Sequence, residues 1–173
     1  IKPRVDTGDI LLQTSVPIHP EDTYGSLAAT LATVGADLLV ETLDRLESGT
    51  VTPVPQSTAG VSRAPKITPE MQILRWDRSA ESLRGWIRAL SPRPEAYTIL
   101  RGKRIGITRA SVVPEKGGEA PGTVVKVSPG ICWVQTGEGL LAVEEVHPQG
   151  KRVMSIRDYL AGRPLSAGDR FET

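Results

Sequence analysis

The residues best suited to chemistry come early: Val5-Asp6-Thr7-Gly8-Asp9 places a carboxylate directly before Thr-Gly. A carboxylate in that setting can hold or orient a proton for a base, or share one with a second carboxylate to activate water. Either role needs partners, and these are scarce. The chain has two histidines, His19 and His147, no asparagine, and a single cysteine, Cys132. His19 stands between Ile18 and Pro20 and His147 precedes Pro148, so both read as surface or packing residues. Cys132 has no second cysteine to pair with, and Cys132-Trp133-Val134 reads as a buried strand in a reducing compartment. No metal site is expected. A different chemistry is offered by cations. Arg101, Lys103, Arg104 and Arg109 lie on one expected hairpin, and Lys126, Lys151 and Arg152 on neighbouring turns, a set suited to nucleic-acid phosphates. The alternative for these seven is a set of ordinary solvated charges, interspersed with Glu115, Glu119, Glu138, Glu144 and Glu145.

Asp-Thr-Gly also occurs in the catalytic loop of aspartic proteases. Three features oppose that reading: Lys2-Pro3-Arg4 stands where an apolar strand is needed, Asp9 follows the glycine, and the next 25 or so residues have helical rather than β period. The structural alternative is a turn in which Asp6 and Thr7 bond local backbone and Gly8 supplies a positive φ.

The elements that must position these residues follow from period and punctuation. Ile10–Ile18 alternates imperfectly and reads as a strand ended by Pro17 and Pro20. Thr23 can cap a helix carrying Leu27, Leu31 and Val34. Gly35 interrupts it, and Leu38, Leu39, Leu43 and Leu46 continue the stripe in a second helix up to Ser48-Gly49, opposite Asp37, Glu41, Asp44 and Glu47. Prolines and small residues from Val51 to Ile67 make an extended linker. Asp77 or Ser79 can cap a helix burying Leu83, Ile87 and Leu90, stopped by Pro92 and Pro94. Five β-branched runs follow, Tyr97–Leu100, Arg104–Val113, Thr123–Val127, Ile131–Gln135 and Leu140–Val146, separated by Arg-Gly, Pro-Gly and Gly-Glu-Gly turns. That spacing predicts a small, closed or partly closed, OB-like barrel. Ser155–Ala161 adds a short capped helix, and Gly168-Asp169 a last turn.

Composition agrees with a core of Leu, Val, Ile and Ala, since 39% of the 173 residues are hydrophobic and only 4% aromatic. Trp76, Trp86 and Trp133 read as packing residues. No apolar run is expected to reach the roughly 20 residues that span a bilayer, so a cytoplasmic protein without membrane contact is expected. The net charge of +1 hides a polarity: residues 1–55 hold three basic and eight acidic side chains, net −5, and the rest eighteen and twelve, net +6. Two modules with different surroundings are implied, the second suited to a polyanion. The lack of Asn and the 15 Arg against 6 Lys fit either a heat-adapted source or a GC-rich genome. The chain starts at Ile1, and its only methionines are Met71 and Met154, so the start reads as an internal cut or a processed end.

Taken together, Val5-Asp-Thr-Gly-Asp-Ile-Leu11, Pro17-Ile18, Glu21-Asp22-Thr23, Gly35-Ala36, Leu38-Leu39 and Thr42-Leu43 resemble the last third of the catalytic domain of the methionyl-tRNA formyltransferase family. The resemblance continues in register through Gln56, Ala64-Pro-Lys-Ile67, Trp76, Ala80, Ile87-Arg-Ala-Leu90, Pro121-Gly-Thr123, Thr136-Gly-Glu-Gly139, Gln149-Gly-Lys151, Met154 and Gly162. It implies an α+β chain: residues 1–50 as a remnant of the α/β formyltransferase domain (a strand plus two helices), 51–75 as linker, and 76–173 as a tRNA-binding barrel with short helices. The reaction implied is formyl transfer from 10-formyltetrahydrofolate to the amine of initiator methionyl-tRNA. The family uses an Asn, a His and an Asp, and only Asp6 carries over. The resemblance therefore implies an enzyme whose C-terminal part is present here, binding no folate and inactive alone, with a missing N-terminal catalytic half and initiator tRNA as partners and a monomeric parent. It also adds Lys66 to the tRNA-binding set. With their parent sheet absent, the strand and helices of residues 10–48 are expected to expose an apolar face, and so to associate with something or be poorly ordered. Two alternatives remain: the C-terminal part of a sugar-nucleotide N-formyltransferase, against which the basic hairpin weighs, and a stand-alone RNA-binding module.

Overall fold

The computed structural model describes residues 6–115 and 117–173. Two compact units divide the chain, the first built from described residues up to Asp22 and from Ser26–Lys66, the second from Thr23–Gly25 and Ile67–Thr173.

In the first unit the expected strand over Ile10–Ile18 is not formed. Among the described residues of that segment only Ile10 pairs, exchanging hydrogen bonds with Val54 at 2.8 and 2.9 Å. A strand needs a ladder partner along its length, and the prolines at 17 and 20 withdraw donors from this one. The expected pair of helices is instead one, α1 (Tyr24–Glu47). Nothing lies within 4 Å of a Cβ built at Gly35, and a single glycine costs a helix only about 1 kcal/mol, which the apolar positions on either side outweigh. Gly49 ends it with φ +67 while the Thr50 N–H returns to the Arg45 carbonyl at 2.9 Å. Half-buried Leu27, Val34, Leu38 and Thr42 form one stripe, whereas Leu31, Leu39, Leu43 and Leu46 are exposed. Running through Gly35 makes α1 long and apolar enough, by length and composition, to cross a bilayer, contrary to the expectation from the sequence. Asp37, Glu41 and Asp44 nevertheless put carboxylates along one side. That amphipathic pattern suits packing on protein better than immersion in lipid on all sides.

The second unit is a curled antiparallel sheet carrying two helices. α2 (Ala80–Leu90) begins at Ser79, whose hydroxyl accepts from the Ser82 N–H at 3.3 Å, and buries Ala80, Leu83, Ile87 and Leu90 against the sheet. The strands are β1 (Ala96–Leu100), β2 (Lys103–Val113), β3 (Val124–Ser128), β4 (Ile131–Gln135), β5 (Leu140–Pro148), β6 (Met154–Ser155) and β7 (Phe171–Glu172), with α3 (Ile156–Gly162) between the last two. Their order is β3-β4-β5-β2-β1-β7, with β6 on β5. Arg101 and Gly102 join β1 to β2 with φ +51 and +71, the two positive values a two-residue primed turn requires.

The curl carries the two ends of the sheet toward each other. The Phe171 N–H donates to the Gly122 carbonyl (2.8 Å) and the Val124 N–H to the Asp169 carbonyl (2.7 Å), so residues 168–172 bond β1 on one side and the start of β3 on the other. Compensating bulges at Thr108 on β2 and Glu144 on β5 bend the central pair. Inside lie Leu74, Ile105, Ile107, Leu141, Val143, Val146, Ile156 and Phe171, all within 3% of full burial. Each such side chain contributes about 1.5–3 kcal/mol by leaving water.

Two of the motifs that carry the resemblance act as locks between elements. The Gly137 N–H reaches the Trp76 and Arg78 carbonyls at 2.8 and 2.9 Å, and a Cβ there would stand 2.0 Å from the Asp77 oxygen. A Cβ on Gly122, where φ is +89, would stand 2.3 Å from the Phe171 oxygen.

Candidate nucleic-acid interface

Asp6 sits exposed at a turn with φ +57, a left-handed value that Asp tolerates better than most residues. The loop after it is held from a distance, because the Gln56 amide donates to the Gly8 carbonyl at 2.7 Å across 48 residues. Gly8 itself does not have the positive φ that a tight turn would ask of it. Neither histidine joins Asp6 in a described contact. The His19 N–H donates to Asp22 (2.7 Å), and the Asp22 carboxylate also accepts from the Ser26 hydroxyl (2.8 Å), ordering the entry to α1. The His147 ring lies between the Glu95 carboxylate and the Lys151 carbonyl (2.8 Å), joining β5 to the turn before β1 and to the loop before β6. Among the described residues no group of three His, Cys, Asp or Glu is placed to hold a metal ion.

The cations separate into two kinds. Arg101 is bound to Asp169 at 2.9 Å and to the Pro164 carbonyl at 3.1 Å, stapling the β1–β2 turn to the segment before β7. The Asp169 carboxyl is held below its usual range, chiefly by the Ser166 N–H it accepts and then by Arg101. Arg109 bridges Glu144 at 3.0 Å and Glu145 at 3.3 Å, the two carboxylates that the bulge on β5 places side by side. Both arginines are thus partly spent within the sheet.

Lys103, Arg104, Lys151 and Arg152 are exposed and make no ion pair with a described residue. The Arg104 guanidinium stacks 3.9 Å from the Tyr97 ring centre, which fixes its plane and leaves its N–H edge open. Lys126 stands 5.2 Å over the Trp133 ring on the outer face of β3 and β4. Lys66 is exposed at the end of the first unit.

The tryptophans divide by strand parity. Trp76 is 2% exposed and donates to the Thr98 hydroxyl at 3.0 Å, and Trp86 donates to the Met71 carbonyl at 2.6 Å. Both are packing residues, as expected. Trp133 is only half-buried, because alternation along β4 sends Cys132 and Val134 inward and turns the indole out. Cys132 is fully buried, and burial, with a smaller push from the Asp169 charge, raises its thiol to about 12. A thiol of that kind is no nucleophile.

Sequence reasoning missed Arg163. It closes α3, its own N–H donating to the Tyr159 carbonyl at 2.9 Å, and it lines a recess together with Lys103 and Arg104. Only its place after Gly162, in the usual position of a helix stop, was visible beforehand.

Residues 66–164 match the family described as formyl transferase, C-terminal domain. The chain is 44% identical over 170 residues to a methionyl-tRNA formyltransferase of Symbiobacterium thermophilum, spanning 96% of this chain and 52% of that protein. It is 44% identical over 170 residues to the corresponding protein of Carboxydothermus hydrogenoformans (97% and 54%) and 38% identical over 169 residues to that of Streptococcus pneumoniae (96% and 54%). The chain therefore spans about half the length of the curated relatives it matches. Among solved structures, a variant of HypX from Aquifex aeolicus superposes with a TM-score of 0.70 at 19% identity, covering 98% of this chain and 30% of that one. HypX in complex with tetrahydrofolic acid gives 0.67 at 18% identity, covering 99% and 32%.

Proposed function

The chain belongs to the formyl transferase C-terminal domain family, and on that premise we propose that it is the C-terminal part of an enzyme that formylates the methionyl group of initiator methionyl-tRNA. The observation that carries this is identity of 38–44% with methionyl-tRNA formyltransferases over at least 96% of the chain, joined to a set of exposed cations on β2 and the loop before β6 that make no ion pair with a described residue. The domain limits proposed are those read from the sequence: a catalytic-domain part to about residue 50, a linker to 75, and an OB-like tRNA-binding barrel beyond.

The reaction needs a base for the substrate ammonium, donors for the oxyanion of the tetrahedral intermediate, and a carboxylate that orients them. Asp6 is proposed as that carboxylate. Its exposed turn puts the acid on open backbone, where it can orient a neighbouring base but does not enclose a pterin. The residues present thus do not by themselves fit a folate. A folate-derived donor, 10-formyltetrahydrofolate, is assigned to the parent enzyme. The exposed apolar positions of α1, Leu31, Leu39, Leu43 and Leu46, are proposed to pack on the remainder of the catalytic domain. The parent is proposed to be a monomeric, cytoplasmic enzyme.

For tRNA, Lys103, Arg104, Lys151 and Arg152 are proposed as the main contacts, with Lys66 and Lys126. Arg101 and Arg109 contribute less, because phosphates must compete with carboxylates already in place. A filter-binding titration with transfer RNA at two salt concentrations tests the reading. Four or five phosphate contacts predict a loss of roughly 10²-fold in affinity for a fourfold rise in salt. Affinity that ignores salt would sink it. Mixing the chain with a fragment carrying the rest of the catalytic domain should restore formylation; RNA binding with no restored activity would favour a stand-alone RNA-binding module.

A further inference from the structure

Lys103 and Arg104 at the start of β2 face Arg163 at the end of α3 across a recess of about 340 Å³. Its volume is at the lower end of ligand pockets, which run from roughly 300 to 1,000 Å³. Leu100, Ile105 and Pro148 form apolar parts of the wall, and Gln149 and Tyr159 complete it. In a chain with 21 basic and 20 acidic side chains, this recess is lined by three cations and no carboxylate. None of the three makes an ion pair with a described residue, whereas Arg101, in the turn just before β2, does.

Two of the three cations are also tied to the fold before any ligand arrives, Arg104 through its side chain and Arg163 through its backbone. Arg104 is flattened on Tyr97, and its backbone carbonyl accepts from the Gln149 N–H at 3.2 Å. Arg163 precedes Pro164, whose carbonyl is gripped by Arg101, so the Arg101–Asp169 staple fixes the backbone beside Arg163 relative to the β1–β2 turn. Fixing the donors beforehand removes part of the ordering cost of binding. Arg163 also lines an adjoining recess of about 370 Å³ that contains Lys151 but also Asp158, so only the first recess is free of competing negative charge.

We propose that this recess seats a backbone phosphate of the bound RNA, with Lys103, Arg104 and Arg163 as its donors, Arg163 being the residue that commits α3 to the RNA-binding face. The proposal rests on the tRNA-binding reading above. It differs from a purely structural Arg163, which would compensate the C-terminal carbonyls of α3 and leave RNA binding alone.

The test uses the full 173-residue chain with Lys103→Gln, Arg163→Gln and, as an exposed control on a different surface, Arg75→Gln. Transfer RNA affinity is measured across a salt series, with thermal melts confirming that each variant is folded. Lys103→Gln and Arg163→Gln should each weaken binding about tenfold and flatten the slope of log affinity against log salt by about one, and Arg75→Gln should do neither. Folded variants that keep the wild-type slope would overturn the phosphate seat while leaving the RNA reading intact. A wild-type chain whose affinity ignores salt would remove both. Inorganic phosphate at constant ionic strength separates the two sources of the same chemistry: failure to displace RNA at millimolar phosphate supports a polyanion seat, and saturable displacement would reassign the recess to a free anion.

Discussion

Replacing Gly137 by alanine adds one methyl group to a loop that no proposed ligand touches, yet it should be among the more damaging changes available in the second unit. The new Cβ would stand 2.0 Å from the Asp77 oxygen and 2.6 Å from its carbonyl carbon, distances that side-chain carbons do not adopt. One backbone must withdraw by about an ångström, and the Gly137 N–H, shared between the Trp76 and Arg78 carbonyls, withdraws with it. Overpacking costs about 1–3 kcal/mol and the weakened hydrogen bonding about 1 more, so about 2–4 kcal/mol in total. For a folding unit of roughly 100 residues, where 1 kcal/mol moves Tm by about 4 °C or more, this is a drop of about 8–16 °C. The same substitution at Gly85 should have the opposite sign. That glycine lies inside α2 with nothing within 4 Å of its Cβ, so Gly85→Ala should gain about 0.5–1 kcal/mol. Tryptophan fluorescence during heating reads both, since Trp76, Trp86 and Trp133 all belong to the second unit. A Gly137→Ala chain melting within about 2 °C of wild type would refute the lock. Normal stability with lost RNA affinity would refute it differently, by showing that the Thr136-Gly-Glu-Gly139 loop touches RNA.

Other outcomes follow from single contacts. Trp76→Phe should cost about 2 kcal/mol in urea denaturation, because the Thr98 hydroxyl already donates to the Glu172 carbonyl at 2.6 Å and would lose the buried donor it accepts from. Asp169→Asn should destabilise the chain at pH 7. The folded carboxyl lies below its unfolded value, so its stabilising effect is present above the ordinary carboxylate range and is lost as pH falls through the lower folded value. The gap between variant and wild type should therefore close in acid, and a gap unchanged at about pH 2 would refute the cause given. Cys132 should not react with a disulfide reagent at pH 8 in the folded chain and should react fully in denaturant; rapid native reaction would mean that β4 opens.

What was legible in the sequence was local. Ile131–Gln135 matches β4 end for end because a tight Pro-Gly turn and β-branched residues bound it, and Ser79 and Ser155 cap the helices that follow them. The Arg-Gly turn announced the β1–β2 hairpin. The misses needed partners that a linear pattern cannot supply. Ile10–Ile18 looked like a strand from its composition, but a strand exists only if something pairs with it, and Val54 meets Ile10 alone. The opposed bulges at Thr108 and Glu144 decide that Arg109 meets two carboxylates, and nothing at either position signals this. At the interface the residue types were legible and their availability was not. Arg101 and Lys103 are two residues apart, yet one is bound to an aspartate 68 residues away and the other makes no ion pair with a described residue.

The bonding of residues 168–172 to both β1 and the start of β3 has a consequence in time. Phe171 belongs to the core, and its backbone joins strands whose residues were synthesised some 50 to 70 positions earlier. Until it arrives, the Ile99–Leu100 end of β1 and the start of β3 each present an unpaired edge, the kind of surface that recruits strands from other chains. The sheet should thus remain open and prone to association through most of its own translation, and should close late and comparatively slowly, as long-range pairings do. Chaperone demand for this unit should then follow the interval between the emergence of β3 and that of Phe171.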